Sequence, residues 1–197
     1  MSFGSGLDIF HFERLKFIFS YVKGRILDVG CGDGLVTSAL RNKGYDVVGI
    51  DPFNSASDYQ ISLSDAKSKG GVFEKPFDTI ILSEVIEHSG IDIISQSLFF
   101  LKKGGCVIVT APQKNILSYL SYIVIGEEIL KNIPYGTHDY ESFIHLNDLK
   151  AYLFDHHIKI MDICGFNPMK RSLCHSTMYH YLLYGVYSRL PAKQDYC

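Results

Sequence analysis

A nine-residue stretch, Ile26 to Gly34, places the strongest constraint on the fold of this chain. It opens with apolar residues that carry one acid, Asp28, and it ends with glycines at alternate positions, Gly30, Gly32 and Gly34. This order predicts a buried strand that enters a tight turn, where the backbone can approach a ligand closely. The helix predicted to follow would direct its free N–H groups at the same turn. The stretch therefore predicts a site for a nucleotide-like cofactor.

The spacing of the glycines distinguishes between cofactors. A dinucleotide fingerprint, Gly-x-Gly-x-x-Gly, would need a glycine at position 35, but Leu35 stands there and the third glycine is Gly34. An NAD-dependent dehydrogenase is therefore the least favoured function. A strand-borne acid followed by Gly-x-Gly-x-Gly resembles motif I of the class I S-adenosylmethionine (SAM) methyltransferases. The resemblance implies SAM as the cofactor, bound by Gly30, Gly32 and Gly34, with Asp28 holding its ammonium tail directly or through a water.

A second acid, Asp51, ends the next predicted strand. A carboxylate at the end of that strand can accept hydrogen bonds from both hydroxyls of a ribose, as in other nucleotide sites at sheet edges. The alternative is that Asp51 only forms the turn before Pro52. Given the glycine turn, we predict ribose binding.

Strands alternate with helices along the first half of the chain. We predict helices over residues 9–22, 35–42, 91–101, 113–133 and 147–154, and strands over 25–29, 45–50, 59–63, 77–82, 106–110, 158–164 and 177–187. Asp8 is the candidate N-cap of the first helix. The alternation predicts one α/β domain over residues 1–197, built on a doubly wound, mostly parallel sheet. The resemblance implies seven strands with the last one antiparallel, and a helical lid inserted at about 113–145.

Several further motifs sharpen the resemblance. They are Phe77-Asp78, the run Ser83 to His88, Gly126 to Leu130, Pro134 to Asp139 and Gly165 to Pro168. Together they resemble the ubiquinone-biosynthesis O-methyltransferases over most of residues 12–187. This implies transfer of the SAM methyl group to a hydroxyl oxygen of a small aromatic or quinol-like acceptor, which can carry a lipid tail.

The resemblance also implies roles for individual residues. Arg14 and Ser83 would contact the cofactor, and His88 or His138 would remove the proton of the acceptor. In the family, a Glu-x-x-Glu-His set is linked to a divalent metal, and Glu84, Glu87 and His88 match it. Two carboxylates and one imidazole would suit Zn²⁺ at least as well as Mg²⁺. The alternative is that these three residues only shape the loop after the strand.

Composition limits the partners and the location. The net charge of −2 gives no broad cationic surface, so nucleic acid is not an expected partner. The longest apolar stretch, 116–130, is too short and too polar to span a bilayer. We predict a cytoplasmic protein, with the lid either contacting a membrane surface or packing on the core. The oligomeric state is left open.

Only residues 52–76 lie between Asp51 and Phe77, which leaves no room for a full helix and a third strand. Residues 54–57 have the composition of a turn. The resemblance implies that this segment forms the wall of the adenine pocket, with Ser64 or Asp65 as the expected contact for adenine. Its short length leaves two alternatives open: a methyltransferase for another acceptor, such as a sugar, a lipid or a secondary metabolite, and a SAM-binding module without catalysis.

Overall fold

The computed structural model describes residues 6–114, 140–167, 172–174 and 182–189. The helices are α1 (Gly6–Tyr21), α2 (Leu35–Arg41), α3 (Leu63–Lys69), α4 (Ile86–Ser89), α5 (Ile93–Ser97) and α6 (Leu146–Asp155). The strands are β1 (Arg25–Val29), β2 (Asp46–Ile50), β3 (Phe77–Ser83), β4 (Leu101–Pro112), β5 (Ile158–Asn167), β6 (Ser172–Cys174) and β7 (Leu182–Arg189). None of the helices described here is long and apolar enough to cross a membrane.

The strands form one sheet in the order β2-β1-β3-β4-β7-β5-β6. The first four strands of this order are parallel, which confirms the predicted parallel α/β sheet. β7 runs antiparallel to both of its neighbours, β4 and β5. The register aligns Val29 with Ile50 and with Leu82, and Ser83 with Thr110. The carboxyl ends of β1 to β4 therefore lie along one edge, where a doubly wound sheet binds its ligands.

Both faces of the sheet are covered by helices. Alternate residues of β1 point to opposite faces, so Leu27 belongs to one apolar cluster and Ile26 to the other. The cluster around Leu27 is closed by α3, α5 and α6, and the cluster around Ile26 is closed by α1 and α2. Since Asp28 shares a face with Ile26, it lies beneath α1 and α2. This placement decides which side chains can reach it.

Several predicted elements differ from the structure. Residues 59–63 were expected to form a strand, but only an isolated bridge joins Tyr59 to Ile50. A helix begins at Leu63 instead, because the Ser62 hydroxyl accepts a hydrogen bond from the backbone N–H of Asp65 at 3.1 Å. The predicted helix over 91–101 is shorter in the structure, where α5 covers Ile93–Ser97 and β4 already begins at Leu101.

The observed ends of several elements also differ from the predicted ones. α1 already includes Gly6, so Asp8 lies inside this helix and is not its N-cap. β4 begins at Leu101, five residues before the predicted start at position 106. In the predicted lid, Gln113 pairs with Ile144 in an isolated bridge and is not helical. Lys114 is not helical either, and residues 115–133 of the predicted lid helix lie outside the described residues.

Candidate functional site

The turn after β1 has the left-handed backbone that its glycines predict. Gly30, Gly32 and Gly34 have φ angles of 67°, 51° and 77°, which residues with a Cβ adopt only at a cost. At Gly30 a Cβ would stand 2.7 Å from the Val85 side chain, whereas nothing lies within 4 Å of one built on Gly32. The turn is thus packed on its inner side and open at Gly32.

Asp51 connects this turn to the end of β2. Its Oδ2 accepts a hydrogen bond from the backbone N–H of Gly32 at 3.1 Å, and its Oδ1 accepts from Phe53 at 2.8 Å and Asn54 at 2.9 Å. A carboxylate offers about four acceptor positions, so Asp51 can accept a further hydrogen bond. The structure therefore gives Asp51 the turn-forming role and leaves it able to hold a ribose hydroxyl.

Asp28 lies beneath the same turn and is almost completely buried, with 1% of its surface exposed. The Thr37 hydroxyl on α2 donates a hydrogen bond to its Oδ2 at 2.6 Å. Burial raises the pKa of Asp28 to about 6, although the Thr37 hydrogen bond and the charge of Arg14 act in the opposite direction. Asp28 therefore faces the turn from inside the fold, so its first partner is a side chain of the protein.

Arg14 extends from α1 to the edge of the site. Its Nη1 lies 4.0 Å from Glu84 Oε1, and its Nη2 lies 2.8 Å from His11 Nδ1. Its Nε is buried and makes no hydrogen bond within the described residues. The structure thus brings Arg14, Asp28 and Glu84, which are far apart in the sequence, to one region at the ends of β1 and β3.

Three hydroxyl and carboxylate groups are connected where β3 and β4 end. Thr110 Oγ1 donates a hydrogen bond to Glu84 Oε1 at 2.9 Å, and it lies 3.0 Å from Ser83 Oγ. Since Thr110 has only one hydroxyl proton, Ser83 is the donor in the second pair. Glu84 has a φ of 57°, an uncommon conformation for a residue with a side chain. Strain of this kind is typical of binding and catalytic sites.

The predicted metal ligands are not assembled into a metal site. Glu87 is buried, Glu84 pairs with Arg14, and His88 is exposed. Within the described ranges, no three histidine, cysteine or acidic side chains lie close enough together to hold a metal ion. The reason is local: α4 begins only at Ile86, and Glu84 precedes it in a left-handed conformation. The three residues therefore do not share one helical face.

Glu87 lies in surroundings that disfavour the charged form of its carboxyl. Its Oε2 is buried and has no hydrogen-bond partner among the described residues. Burial, and then the negative charge of Glu84, raise the pKa of Glu87 well above its ordinary value. Because a metal binds the deprotonated carboxylate, this rise in pKa disfavours Glu87 as a ligand.

Two side chains of the site were not predicted from the sequence. Thr110 could have been found, because it is the last residue of the predicted strand 106–110 and lies at the ligand-binding edge. Thr37 follows the glycine turn inside a helix, and no sequence pattern distinguishes it from a core residue. The second candidate base, His138, lies outside the described residues and remains a prediction.

Comparison with known proteins agrees with this geometry. Residues 11–161 match the family described as "Methyltransferase domain". The ubiquinone biosynthesis O-methyltransferase of Pseudomonas putida (strain GB-1) is 32% identical over 163 residues, which cover 75% of this chain and 70% of that protein. The mitochondrial ubiquinone biosynthesis O-methyltransferase of Mus musculus is 32% identical over 192 residues. That match covers 87% of this chain but 52% of the mouse protein, so the chain spans about half the length of this relative.

Solved structures show the same fold at lower sequence identity. The plantazolicin methyltransferase BamL, in complex with a triazolic desmethylPZN analog and S-adenosylhomocysteine (SAH), has a TM-score of 0.61 at 17% identity. The two matched regions cover 92% of this chain and 83% of BamL. A possible histamine N-methyltransferase from Thermotoga maritima has a TM-score of 0.64 at 15% identity, covering 94% of this chain and 91% of its own.

Proposed function

The chain belongs to the methyltransferase-domain family, and we propose that it transfers the methyl group of SAM to a hydroxyl oxygen of a small aromatic or quinol-like acceptor. The observation that carries this proposal is the hydrogen bond between the Gly32 N–H and Asp51, 3.1 Å long. It joins a left-handed glycine turn to an acid at the carboxyl ends of neighbouring parallel strands. The 32% identity to ubiquinone biosynthesis O-methyltransferases supports the hydroxyl oxygen as the acceptor atom, with or without a lipid tail on the ring.

The residues of the site suit the parts of SAM. The open backbone at Gly32 allows the cofactor to approach closely, and Asp51 accepts from its ribose. Arg14 supplies a cationic group, with a buried Nε not yet paired within the described residues, for the carboxylate of the amino-acid tail. Asp28 adds negative charge beneath the turn, which favours the cationic ammonium and sulfonium groups of the cofactor.

When bound, SAM supplies an electrophilic methyl group on a sulfonium leaving group. The acceptor oxygen forms a bond to the methyl carbon as the carbon–sulfur bond breaks, and the proton of the hydroxyl passes to a base. His88 is the proposed base, because it follows β3 at the ligand-binding edge and its imidazole is exposed. The contribution of the protein is mainly to align the two reactants and to accept this proton.

The residues present do not fit a divalent metal, since Glu84 is paired with Arg14, and burial and the charge of Glu84 raise the pKa of the Glu87 carboxyl. The proposal therefore includes no step through a metal. Activity that survives a chelator is the expected result. Loss of activity that added Mg²⁺ or Zn²⁺ restores would contradict this part of the proposal.

Calorimetry with SAH, SAM and NAD tests the cofactor. We expect SAH and SAM to bind and NAD not to bind. Tight binding of NAD, with no binding of SAH or SAM, would refute the proposal. Methyl transfer to a catechol or a demethylquinol analogue then tests the acceptor. SAH binding with no transfer to either compound would instead favour another acceptor or a binding module without catalysis.

A variant pair tests the base. His88→Ala should lower kcat by roughly a hundred-fold or more, the usual contribution of a general base, with little change in SAH affinity. His156→Ala removes another exposed imidazole, at the end of α6, and is the matched control. Equal activity of the two variants would remove His88 from the mechanism and leave His138 as the base to test.

A further inference from the structure

We propose that Thr37 is a positioning residue for the cofactor: its hydroxyl stabilises the ionised form of Asp28, so that a negative charge lies beneath the turn when the ammonium group of SAM enters it. This inference rests on the proposed function, because it assumes that the glycine turn binds SAM. It gives a role in cofactor binding to a threonine inside α2, which does not itself touch the cofactor.

Thr37 and Asp28 form a buried pair between α2 and β1. Only 5% of Thr37 and 1% of Asp28 is exposed. The Thr37 hydroxyl donates to Asp28 Oδ2 at 2.6 Å, a length typical of an O–H···O bond to a charged oxygen. A hydrogen bond of this kind favours the carboxylate over the neutral acid. Thr37 can therefore act on the charge of Asp28 from the side away from solvent.

Packing against β2 fixes the position of this hydroxyl. Gly49 of β2 lies opposite Asp28 in the parallel register of β1 and β2. A Cβ built on Gly49 would stand 3.0 Å from Thr37 Oγ1 and 3.1 Å from Cys31 Sγ. The hydroxyl therefore occupies a close-packed space that the glycine leaves, and it has little freedom to turn away from the carboxylate.

The charge of Asp28 depends on a balance of opposing influences. Burial raises its pKa to about 6, and the Thr37 hydrogen bond is the largest influence that lowers it. The others are the charge of Arg14 on α1, the backbone N–H of Thr37 and the charge of Arg41 on α2. Since the pKa is close to neutral pH, loss of one of these influences changes the fraction of Asp28 that is ionised.

The turn contributes one further titratable group, Cys31. Burial is the main cause that raises the pKa of its thiol to about 12, and the charges of three acids follow: Asp28, Asp51 and Asp58. Cys31 is therefore a neutral thiol at physiological pH. The acids around it make the turn electronegative, which suits the cationic ammonium group of the cofactor.

Removal of the Thr37 hydroxyl should raise the pKa of Asp28. A hydrogen bond to a charged group is worth about one to two pKa units. At about pH 6.5, the ionised fraction of Asp28 in the free protein would then fall from about three quarters to about a quarter or less. Because the ammonium group favours the ionised protein, binding at this pH should weaken by roughly three- to tenfold.

Calorimetry with SAH from about pH 5 to about pH 8 tests this role. The affinity of the wild-type protein should rise as the pH passes through about 6. In Thr37→Val, which keeps the shape of the side chain, the same rise should lie about one to two pH units higher. Thr37→Ser keeps the hydroxyl and should restore the wild-type profile. Thr79→Val removes the hydroxyl of another buried threonine, near the start of β3, and is the matched control.

Two further measurements separate Asp28 from other groups that titrate in this range, such as His11 and His88. In an Asp28→Asn background, Thr37→Val should not move the pH profile, because no carboxylate remains for the hydroxyl to stabilise. The second measurement uses 5′-methylthioadenosine, which lacks the amino-acid tail and its ammonium group. The affinity for this ligand should be the same in Thr37→Val and in the wild type at every pH.

A structural role alone would give a different result. Loss of SAH affinity by the same factor at every pH, or no loss at all, would overturn the role of Thr37. A profile that also moves in the Asp28→Asn background would overturn it too. If Thr37→Val does not fold, Thr37→Ala is measured in the same way. These results would leave the methyltransferase proposal intact, whereas failure of the wild-type protein to bind SAH would overturn the proposed function and this inference with it.

Discussion

Replacement of Asp28 by asparagine should make the protein less sensitive to pH. The amide introduced by Asp28→Asn would keep a side-chain oxygen that can accept from the Thr37 hydroxyl, but it cannot ionise. In the wild-type protein, burial raises the pKa of Asp28 from 3.8 to about 6. Because the group is almost completely buried, this change in pKa is a direct contribution to the free energy of unfolding.

The sign and the size follow from the two pKa values. Between about pH 4 and pH 6 the unfolded chain has released the Asp28 proton, while the folded chain still keeps it. Raising the pH through this window therefore favours the unfolded chain. The free energy of unfolding is highest below about pH 4 and falls as the pH approaches 6. Each pKa unit corresponds to about 1.4 kcal/mol, so the wild-type protein loses up to about 3 kcal/mol that Asp28→Asn does not lose.

Urea unfolding of both proteins at about pH 4 and about pH 7.5 measures this loss of stability. The free energy of unfolding of Asp28→Asn, minus that of the wild type, should rise by about 3 kcal/mol from the lower to the higher pH. The same rise corresponds to about 6–12 °C in the difference between the two Tm values. Any loss of stability that the amide itself causes is the same at both pH values, so it cancels in this comparison. Asp155→Asn, which changes an exposed carboxyl at the end of α6, is the control: it measures how much the free energy of unfolding changes with pH when an exposed aspartate is replaced. A difference that is the same at both pH values would refute the argument.

Three further predictions concern the turn and its neighbours. Asp51→Asn should weaken SAH binding by about ten- to a hundred-fold in calorimetry, because an amide loses the charge-assisted bonds; unchanged affinity would exclude Asp51 from the site. Gly30→Ala should lower the free energy of unfolding by about 2–5 kcal/mol, through its left-handed φ and a clash with Val85, and Gly32→Ala by about 1–2 kcal/mol through φ alone; equal losses in urea would contradict the packing argument. Since a carboxyl with a raised folded pKa costs stability as pH rises, Glu87→Gln should keep or raise stability near neutral pH; a large loss would show that the charged form is needed.

The parts of the fold that the sequence predicted best are those governed by a single strong pattern. β1 spans Arg25–Val29, as predicted, because an apolar run stops at a glycine turn. The prediction for β2 differs by one residue at its start, since Gly44 before it and Asp51-Pro52 after it mark both ends. In these regions propensity, burial and turn chemistry all favour the same structure.

Other features could not be predicted, because side chains decided between two backbone states. Residues 59–63 have the composition of a strand, but the Ser62 hydroxyl stabilises a helix start from Leu63. Three residues, Glu84, Glu87 and His88, have the spacing of one helical face, but the left-handed φ of Glu84 separates it from the others. Neither a local side-chain bond nor a single unusual φ leaves a periodic signal in the sequence.

The segment that follows β2 explains how β2 can remain at the edge of the sheet, although the strand predicted over residues 59–63 does not form. An edge strand presents unpaired N–H and C=O groups, which are usually satisfied by a neighbour. Here Asp58 Oδ2 accepts from the Gly49 N–H at 2.7 Å, and the Gly49 carbonyl accepts from the Asp58 N–H at 3.0 Å. Arg41 pairs with Asp58 and donates to the Val47 carbonyl at 2.8 Å. One aspartate and one arginine thus satisfy backbone groups of the edge strand and hold the segment that follows Asp51 against it.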